Sequence, residues 1–202
     1  MAVKEIAKMG NPVLRQRAEP VVDPSAPEIK ALLDDMAATM EAADGVGLAA
    51  PQISVSRRVI MFYAPAEDGS QGGADVVPNA EDEWDERPES EAIKARSVTV
   101  LINPEIEPLT EERELGWEGC LSVPGLIGLV PRFTRIRYSG ISPEGRLIER
   151  LATGFHARVV QHEFDHLEGV LYPRRLTDLS MLIFESEAGR YSPAEPGEED
   201  AV

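Results

Sequence analysis

Two segments of the chain have apolar residues at helical spacing. The first begins after Ser25 and Glu28, which have the spacing of a capping box, and it ends at the turn-forming pair Asp44–Gly45. The second runs from about Gly154 to Leu167. We therefore predict two separate helices. The apolar stripe of the first helix is expected to be core and consists of Ile29, Leu32, Leu33, Met36 and Met40.

Short runs rich in β-branched and aromatic residues predict strands. One of them is expected to end at Asn103–Pro104, and the turn signal at Ser142–Gly145 joins the last two in a hairpin. Several strands with two separate helices, and no regular βαβ alternation, indicate an α+β fold. The predicted strands are Arg58–Tyr63, Ser97–Ile102, Leu126–Val130, Phe133–Tyr138 and Leu147–Ala152.

Most of the net charge of −16 comes from two segments. Residues 64–96 contain ten acidic and three basic side chains, and residues 183–202 contain six acidic and one basic. We interpret 64–96 as an insertion within a single catalytic domain, 1–178, and 179–202 as an acidic tail. Such charge runs are usually solvated, and they would repel a phosphate backbone, so direct nucleic-acid binding is not expected.

The chain has no feature that predicts a membrane or secreted protein. No stretch reaches the roughly 18 consecutive apolar residues of a membrane span, and the N-terminal sequence MAVKEIAKMG lacks the apolar region of a signal peptide. Cys120 is the only cysteine, so no intramolecular disulfide forms. These observations predict a cytoplasmic protein with no membrane contact.

The second predicted helix contains the segment Gln161–His166, QHEFDH, whose side chains are candidates for binding a metal ion. His162 and His166 are four residues apart, so both imidazoles project from one helix face within reach of one ion. Glu163 lies beside that face, as in the H-E-x-x-H pattern of metallohydrolases. Both histidines continue the apolar stripe and should be buried, which favours a metal site. Core histidines satisfied by other partners are the alternative.

A catalytic metal site usually has three protein ligands and one open position. No histidine follows His166, but Cys120 stands upstream in WEGCLSVP. A free cysteine is most often a small buried hydrophobe. Beside two buried histidines, a thiolate ligand is the better interpretation.

The segment GVGLAAPQ, residues 45–52, superficially matches the dinucleotide-binding pattern G-x-G-x-x-G/A. That pattern requires a preceding strand and a following helix, whereas here a helix precedes it and Pro51 obstructs a helix after it. The alternative is a backbone segment that a ligand's peptide groups approach closely, with Gln52 as an amide donor.

Taken together and in this order, GVGLAAPQ, EGCLS and QHEFDH resemble the three signature motifs of peptide deformylases. The resemblance extends from KMGNPVLRQRAEPV through LINPEI to GVLYPRRLTD and excludes the insertion. It implies small antiparallel or mixed sheets around a central helix that carries H-E-x-x-H. The implied activity is hydrolysis of the N-formyl group from the formylmethionine of new polypeptides, with release of formate.

The resemblance also implies residue roles. Cys120, His162 and His166 would hold the metal, Glu163 would be general base and then general acid, and Gln52 and the backbone N–H of Leu121 would form the oxyanion hole. We also expect an ion pair between Arg132 and Asp165 that braces the metal-binding helix. Backbone groups that would hold the substrate are those around Val46, Gly47 and Gly125.

The resemblance implies Fe²⁺ as the native metal, with Zn²⁺ or Ni²⁺ able to occupy the same ligands. The expected partners are N-formylmethionyl nascent chains, with transient ribosome contact that follows from this substrate. Many family members carry a basic residue where this chain has Ile127. This difference affects how the substrate's main chain beyond methionine would be held. Two alternative functions remain. A peptide-cleaving metalloprotease is disfavoured by Cys120 and residues 47–52. A non-catalytic binder of chain termini is disfavoured because every reacting residue is present.

Overall fold

The structure, a computed structural model, describes residues 1–64 and 97–190. The predicted insertion, apart from Ala64, and the predicted tail from residue 191 onward lie outside these residues. The described part contains two α-helices, α1 (Pro27–Ala42) and α2 (Gly154–Leu167), and eight strands. The strands are β1 (Gly47–Ala49), β2 (Val59–Ala64), β3 (Ser97–Pro108), β4 (Arg113–Cys120), β5 (Val123–Phe133), β6 (Arg135–Ile141), β7 (Leu147–Thr153) and β8 (Leu182–Phe184).

The strands form two antiparallel sheets. The larger has the order β1-β2-β3-β6-β7, and the smaller has the order β4-β5-β8. The predicted hairpin is β6–β7, which turns at Ser142–Gly145 with Gly145 at φ +78°. Five short 3-10 helices complete the described chain: Pro12–Arg15, Ala50–Ile53, Tyr172–Arg175, Leu179–Met181 and Glu185–Arg190.

Helix α2 lies at the centre, where it contacts strands of both sheets. One of its faces packs on the larger sheet, where Val160 and Leu167 are fully buried with Phe62 and Ile136. Burial of that apolar surface holds the helix in place and leaves its other face toward the smaller sheet. The α+β prediction and the central position of this helix are therefore confirmed. Neither helix of the described ranges is long and apolar enough to cross a membrane.

The predicted capping box of the first helix is wrong. α1 begins at Pro27 with Ala26 as its N-cap, and no side chain caps it. Ser25 Oγ instead donates to Asp23 Oδ1 at 2.7 Å. Proline suits the first helical position because it has no N–H that needs a partner there, so the helix starts without the box.

β3 does not end at Asn103–Pro104 but continues to Pro108. The pairing with β6 shifts between Ile102 and Glu105, which marks a bulge, and Asn103 adopts φ +51° there. Its side chain accepts from Val21 N–H at 2.9 Å and donates to Val21 C=O at 2.8 Å. Asparagine tolerates a left-handed conformation, so the strand bends and continues.

Three strands were not predicted. β1 lies in the segment GVGLAAPQ, which was interpreted only as a backbone segment that a ligand approaches. β4 has exposed residues on both faces for much of its length, so it lacks the alternation that predicts a strand. β8 forms within the predicted tail and pairs with β5 at Leu126–Gly128. The division at residue 178 stays a prediction, but Leu182–Phe184 belongs to the smaller sheet.

Candidate active site

Helix α2 presents His162 and His166 toward the smaller sheet, whereas the Glu163 carboxylate lies beside Gly47 of the larger sheet. The two imidazole centroids are 5.1 Å apart, as expected for residues one turn apart on one face. His166 is 1% exposed, and the side chain of His162 is 12% exposed. The helix therefore brings both imidazoles to one buried point.

Cys120 ends β4 and faces these histidines. Its Sγ lies 3.4 Å from His166 Nε2, and the ligand atoms of Cys120, His162 and His166 all lie within 4.8 Å of one another. A strand places its side chains alternately on opposite faces, so β4 also turns Glu118 toward α2. The three predicted ligands thus converge from two elements that are distant in sequence.

Glu118 was not predicted from the sequence as a site residue, and its hydrogen bonds hold His162 in place. It is buried, and its Oε2 accepts a hydrogen bond from His162 Nδ1 at 2.9 Å. Arg132 donates to both carboxylate oxygens at 2.8 and 2.9 Å, and Arg158 donates to Oε1 at 3.0 Å. Burial opposes ionisation, but hydrogen bonds from Arg132 and His162 outweigh it and lower the Glu118 pKa to about 2. Because Glu118 engages Nδ1 of His162, Nε2 is the ring nitrogen that remains available to a metal ion.

Arg132 also contacts helix α2. Its Nη1 donates to Asp165 Oδ2 at 2.6 Å, and both side chains are buried. Arg175 donates to the same carboxylate at 2.5 and 3.0 Å. The expected ion pair is present in the structure, and its bracing role stays a prediction.

Gln52 reaches the site from the 3-10 helix after β1. Ala49 N–H donates to Gln52 Oε1 at 2.9 Å, which fixes the orientation of the side-chain amide. Its Nε2 consequently points to Ser122 Oγ at 3.2 Å and Cys120 Sγ at 3.6 Å. The amide donor therefore faces the point where the three ligands meet. Leu121 lies in the two-residue turn between β4 and β5 and lines the same cleft.

The structure gives a steric reason for glycine at position 47, whereas the sequence predicted only close approach by a ligand's peptide groups. A Cβ at this position would lie 2.4 Å from Glu163 Oε1, so the carboxylate occupies the space that a side chain would need. The main-chain atoms of Gly47 are also oriented usefully. Tyr63 N–H donates to Val46 C=O, so Gly47 and Phe62 form a non-hydrogen-bonded pair, and Gly47 N–H and C=O point away from β2 toward the open edge.

Gly47→Ala is expected to lower kcat/KM for the hydrolysis that the resemblance implies by about 10²-fold, because the added methyl displaces the Glu163 carboxylate. Gly119→Ala is the matched control for the addition of a methyl group to a cleft glycine, since its φ is not positive and a Cβ there meets only Ile127 Cγ2, at an ordinary 3.6 Å. Steady-state kinetics and thermal unfolding of both variants measure the effect. Equal losses of kcat/KM in the two variants would contradict this account of Gly47.

A cleft of about 570 Å³ opens above the three ligand atoms. Val46 and Gly47 line one wall, while Gly125, at φ +76°, and Ile127 line the other. An extended peptide could therefore lie between the edge of β1 and the start of β5. The structure brings nine of the predicted residues to this cleft or its base: Val46, Gly47, Gln52, Cys120, Leu121, Gly125, His162, Glu163 and His166.

The residues fit a metal ion. One thiol and two imidazoles are a common donor set for transition metals. Burial, together with the neighbouring His162, lowers the pKa of His166 well below its usual value and keeps that ring in the neutral form that binds metals. Glu163 Oε2 is buried and has no hydrogen-bond partner among the described residues, and burial raises the Glu163 pKa to about 7. An unpartnered carboxylate oxygen beside three ligand atoms suits a reacting water.

Comparison with known proteins agrees with this geometry. The polypeptide deformylase family model matches residues 3–181. The chain belongs to the peptide deformylase family. It is 51% identical to a peptide deformylase 1 of Bordetella pertussis over 178 residues, 88% of this chain and 90% of the relative. It is 50% identical to a peptide deformylase 1 of Nitrosomonas europaea over 177 residues, 88% of this chain and 89% of the relative.

A solved relative has the same fold. The Met-Ala-Ser-bound crystal structure of a class I type b peptide deformylase from Acinetobacter baumannii superposes with a TM-score of 0.70 at 34% identity, covering 87% of this chain and 99% of the relative. Peptide deformylases are metal-dependent hydrolases that remove the N-formyl group from nascent polypeptides. The activity expected from the three motifs is therefore confirmed.

Proposed function

We propose that the protein performs this hydrolysis with one divalent metal ion held by Cys120, His162 and His166. The observation that carries the proposal is the convergence of one thiol and two imidazoles within 4.8 Å at the base of an open cleft. A bound ion supplies Lewis-acid activation of the attacking water and of the formyl carbonyl near neutral pH.

Glu163 moves the proton. Its carboxylate is buried beside the ligands, with one oxygen free of protein hydrogen bonds among the described residues. It takes a proton from the attacking water and delivers it to the departing amine nitrogen. The products are formate and a free amino terminus.

Gln52 and Leu121 stabilise the charge that develops on the formyl oxygen. The Gln52 amide is held by Ala49 N–H so that Nε2 faces the ligands, and the Leu121 N–H follows directly on Cys120. Donors fixed before the reaction cost no reorganisation during it, and losing one typically costs about 3–4 kcal/mol in other hydrolases.

The substrate chain binds as an additional strand. Gly47 directs its N–H and C=O from the edge of β1 into the cleft, with Val46 beside it, and Gly125 faces them. Main-chain hydrogen bonds of this kind bind many sequences, whereas pockets select side chains. The Met-Ala-Ser ligand of the Acinetobacter relative begins with methionine, which supports a peptide in this cleft.

We assign Fe²⁺ as the native ion on the family resemblance, with Zn²⁺ or Ni²⁺ as possible occupants, because the donor set suits all three. The nascent-chain substrate leads us to propose a cytoplasmic location and transient contact with the ribosome. We further propose that residues 1–178, with the acidic insertion 64–96, form a single catalytic domain and that residues 179–202 are an acidic tail.

His162→Ala is expected to abolish stable metal binding, because it leaves two of the three ligands. The protein would be purified without oxygen, its metal measured, and formate release followed with a formyl-Met tripeptide. We expect about one equivalent of metal and formate release in the original protein, and neither in the variant.

His156→Gln is the matched control, since His156 lies on the same helix and bonds Tyr138 O–H instead, at 3.2 Å. It should keep its metal and its activity. An unblocked peptide tests the protease alternative, because its cleavage would show a peptidase. Failure of the original protein to bind iron, zinc or nickel would contradict the proposal.

A further inference from the structure

The first nine residues run in an extended path across the elements that carry the site. Ala2 N–H donates to Asp35 Oδ1 at 2.6 Å and Lys4 N–H to Thr39 Oγ1 at 2.9 Å, so the path starts on α1. It then passes from Gln52 to the turn between β4 and β5. No part of the proposed chemistry uses this segment.

Two main-chain hydrogen bonds hold the last residues of this segment in place. Ala7 N–H donates to Gln52 C=O at 2.7 Å, and Met9 N–H donates to Ser122 C=O at 2.7 Å. Gln52 follows β1 of the larger sheet, whereas Ser122 lies with Leu121 in the turn of the smaller sheet that directly follows Cys120. The segment 7–9, which we call the N-terminal strap, therefore connects Gln52, which follows the larger sheet's β1, to the β4–β5 turn of the smaller sheet.

The direct polar contacts between Gln52 and the β4–β5 turn are longer than the strap's hydrogen bonds, and the Leu121 side chain adds apolar contact with the cluster that contains Leu48 and Ala50. Gln52 Nε2 lies 3.2 Å from Ser122 Oγ and 3.6 Å from Cys120 Sγ, and both contacts come from one side-chain amide. The strap's bonds are shorter, and both of their partners are main-chain groups, which side-chain rotation does not move. Ala7 is also buried against the apolar cluster that includes Val123 and Tyr172, so the strap itself is held.

We propose that Ala7 and Met9 are positioning residues whose N–H groups set the distance between Gln52 and the Leu121 N–H across the cleft. The proposal rests on the function assigned above to those two donors. Oxyanion stabilisation depends strongly on the distance from each donor to the oxygen, because donors act only near hydrogen-bond distance from the developing charge. A strap that fixes both donors would act on kcat and not on ground-state binding.

Proline substitution tests this, since proline has no N–H. In Ala7→Pro and Met9→Pro, kcat is expected to fall roughly 10- to 100-fold. KM should change by less than about twofold, because the interaction lost is made in the transition state. The metal content should be unchanged. Values of kcat are referred to folded, metal-loaded protein, so partial unfolding does not enter them.

The controls keep each N–H and change only the side chain. Ala7→Gly and Met9→Ala should keep kcat within about twofold of the original. Met9 is 53% exposed, so shortening its side chain removes little packing. Equal losses of kcat in the proline variants and their controls would overturn the proposal, and so would proline variants with lower stability but unchanged kcat.

A double-mutant cycle separates this inference from the assigned function. If the Ala7 N–H acts through Gln52, Ala7→Pro should lower kcat far less when Gln52 is already alanine. Additive losses would overturn the positioning role while leaving the hydrolase intact. Absence of formate release from the original protein would instead contradict the proposed function.

Discussion

Glu163→Gln is expected to lower kcat for formate release by roughly 10²- to 10⁴-fold, the range of a lost general acid–base group. The glutamine amide fills the same space beside Gly47, where a Cβ would meet the Glu163 carboxylate at 2.4 Å. It cannot accept the proton of the attacking water or return it to the amine. The loss should therefore appear in kcat, with metal content unchanged because Glu163 is not among the three converging ligands.

Glu149→Gln provides the same chemical change on the exposed strand β7, where the side chain lies 3.8 Å from Arg137. Its kinetics should match those of the original protein. Formate release, KM and bound metal are measured on all three proteins. If Glu163→Gln kept full activity, another group would have to move the proton, and the role assigned to Glu163 would be wrong.

Much of the site was predictable because its spacing is local. The four-residue separation of His162 and His166 on a helix is sufficient to place both rings together, and the helix bounds were predicted as Gly154–Leu167. Cys120 required more than spacing, because it lies 42 positions before His162. It was inferred as the third ligand because two buried histidines leave a metal site incomplete and no histidine follows His166, and the family resemblance agrees with that assignment.

Glu118 could not be assigned from the pattern of β4. The strand has no clear alternation, so its register and its inward face were not visible in the sequence. Once Cys120 is taken as an inward ligand, however, the two-residue period places Glu118 on the same face. That signal was present in the EGC segment. Asn103 shows the opposite error, since a residue typical of strand ends lies inside a strand through a bulge.

Arg132→Met is expected to lower the free energy of unfolding by about 3–5 kcal/mol, because it removes one partner from a buried charge network. Glu118 would lose two hydrogen bonds and Asp165 one, all between side chains that are at most 6% exposed. Arg158 and Arg175 still contact these carboxylates, so partial compensation limits the loss. Urea unfolding of metal-free protein measures it without a contribution from bound ion.

Arg137→Met is the matched control. Arg137 is 44% exposed and pairs with Glu107 at 2.8 Å, so its loss should cost no more than about 1 kcal/mol. The Arg132 variant should in addition bind metal more weakly, because Glu118 would no longer be held against His162 Nδ1. Equal destabilisation by the two substitutions would mean that burial adds nothing to the network. Unchanged metal affinity in the Arg132 variant would mean that the network braces the fold but not the metal site.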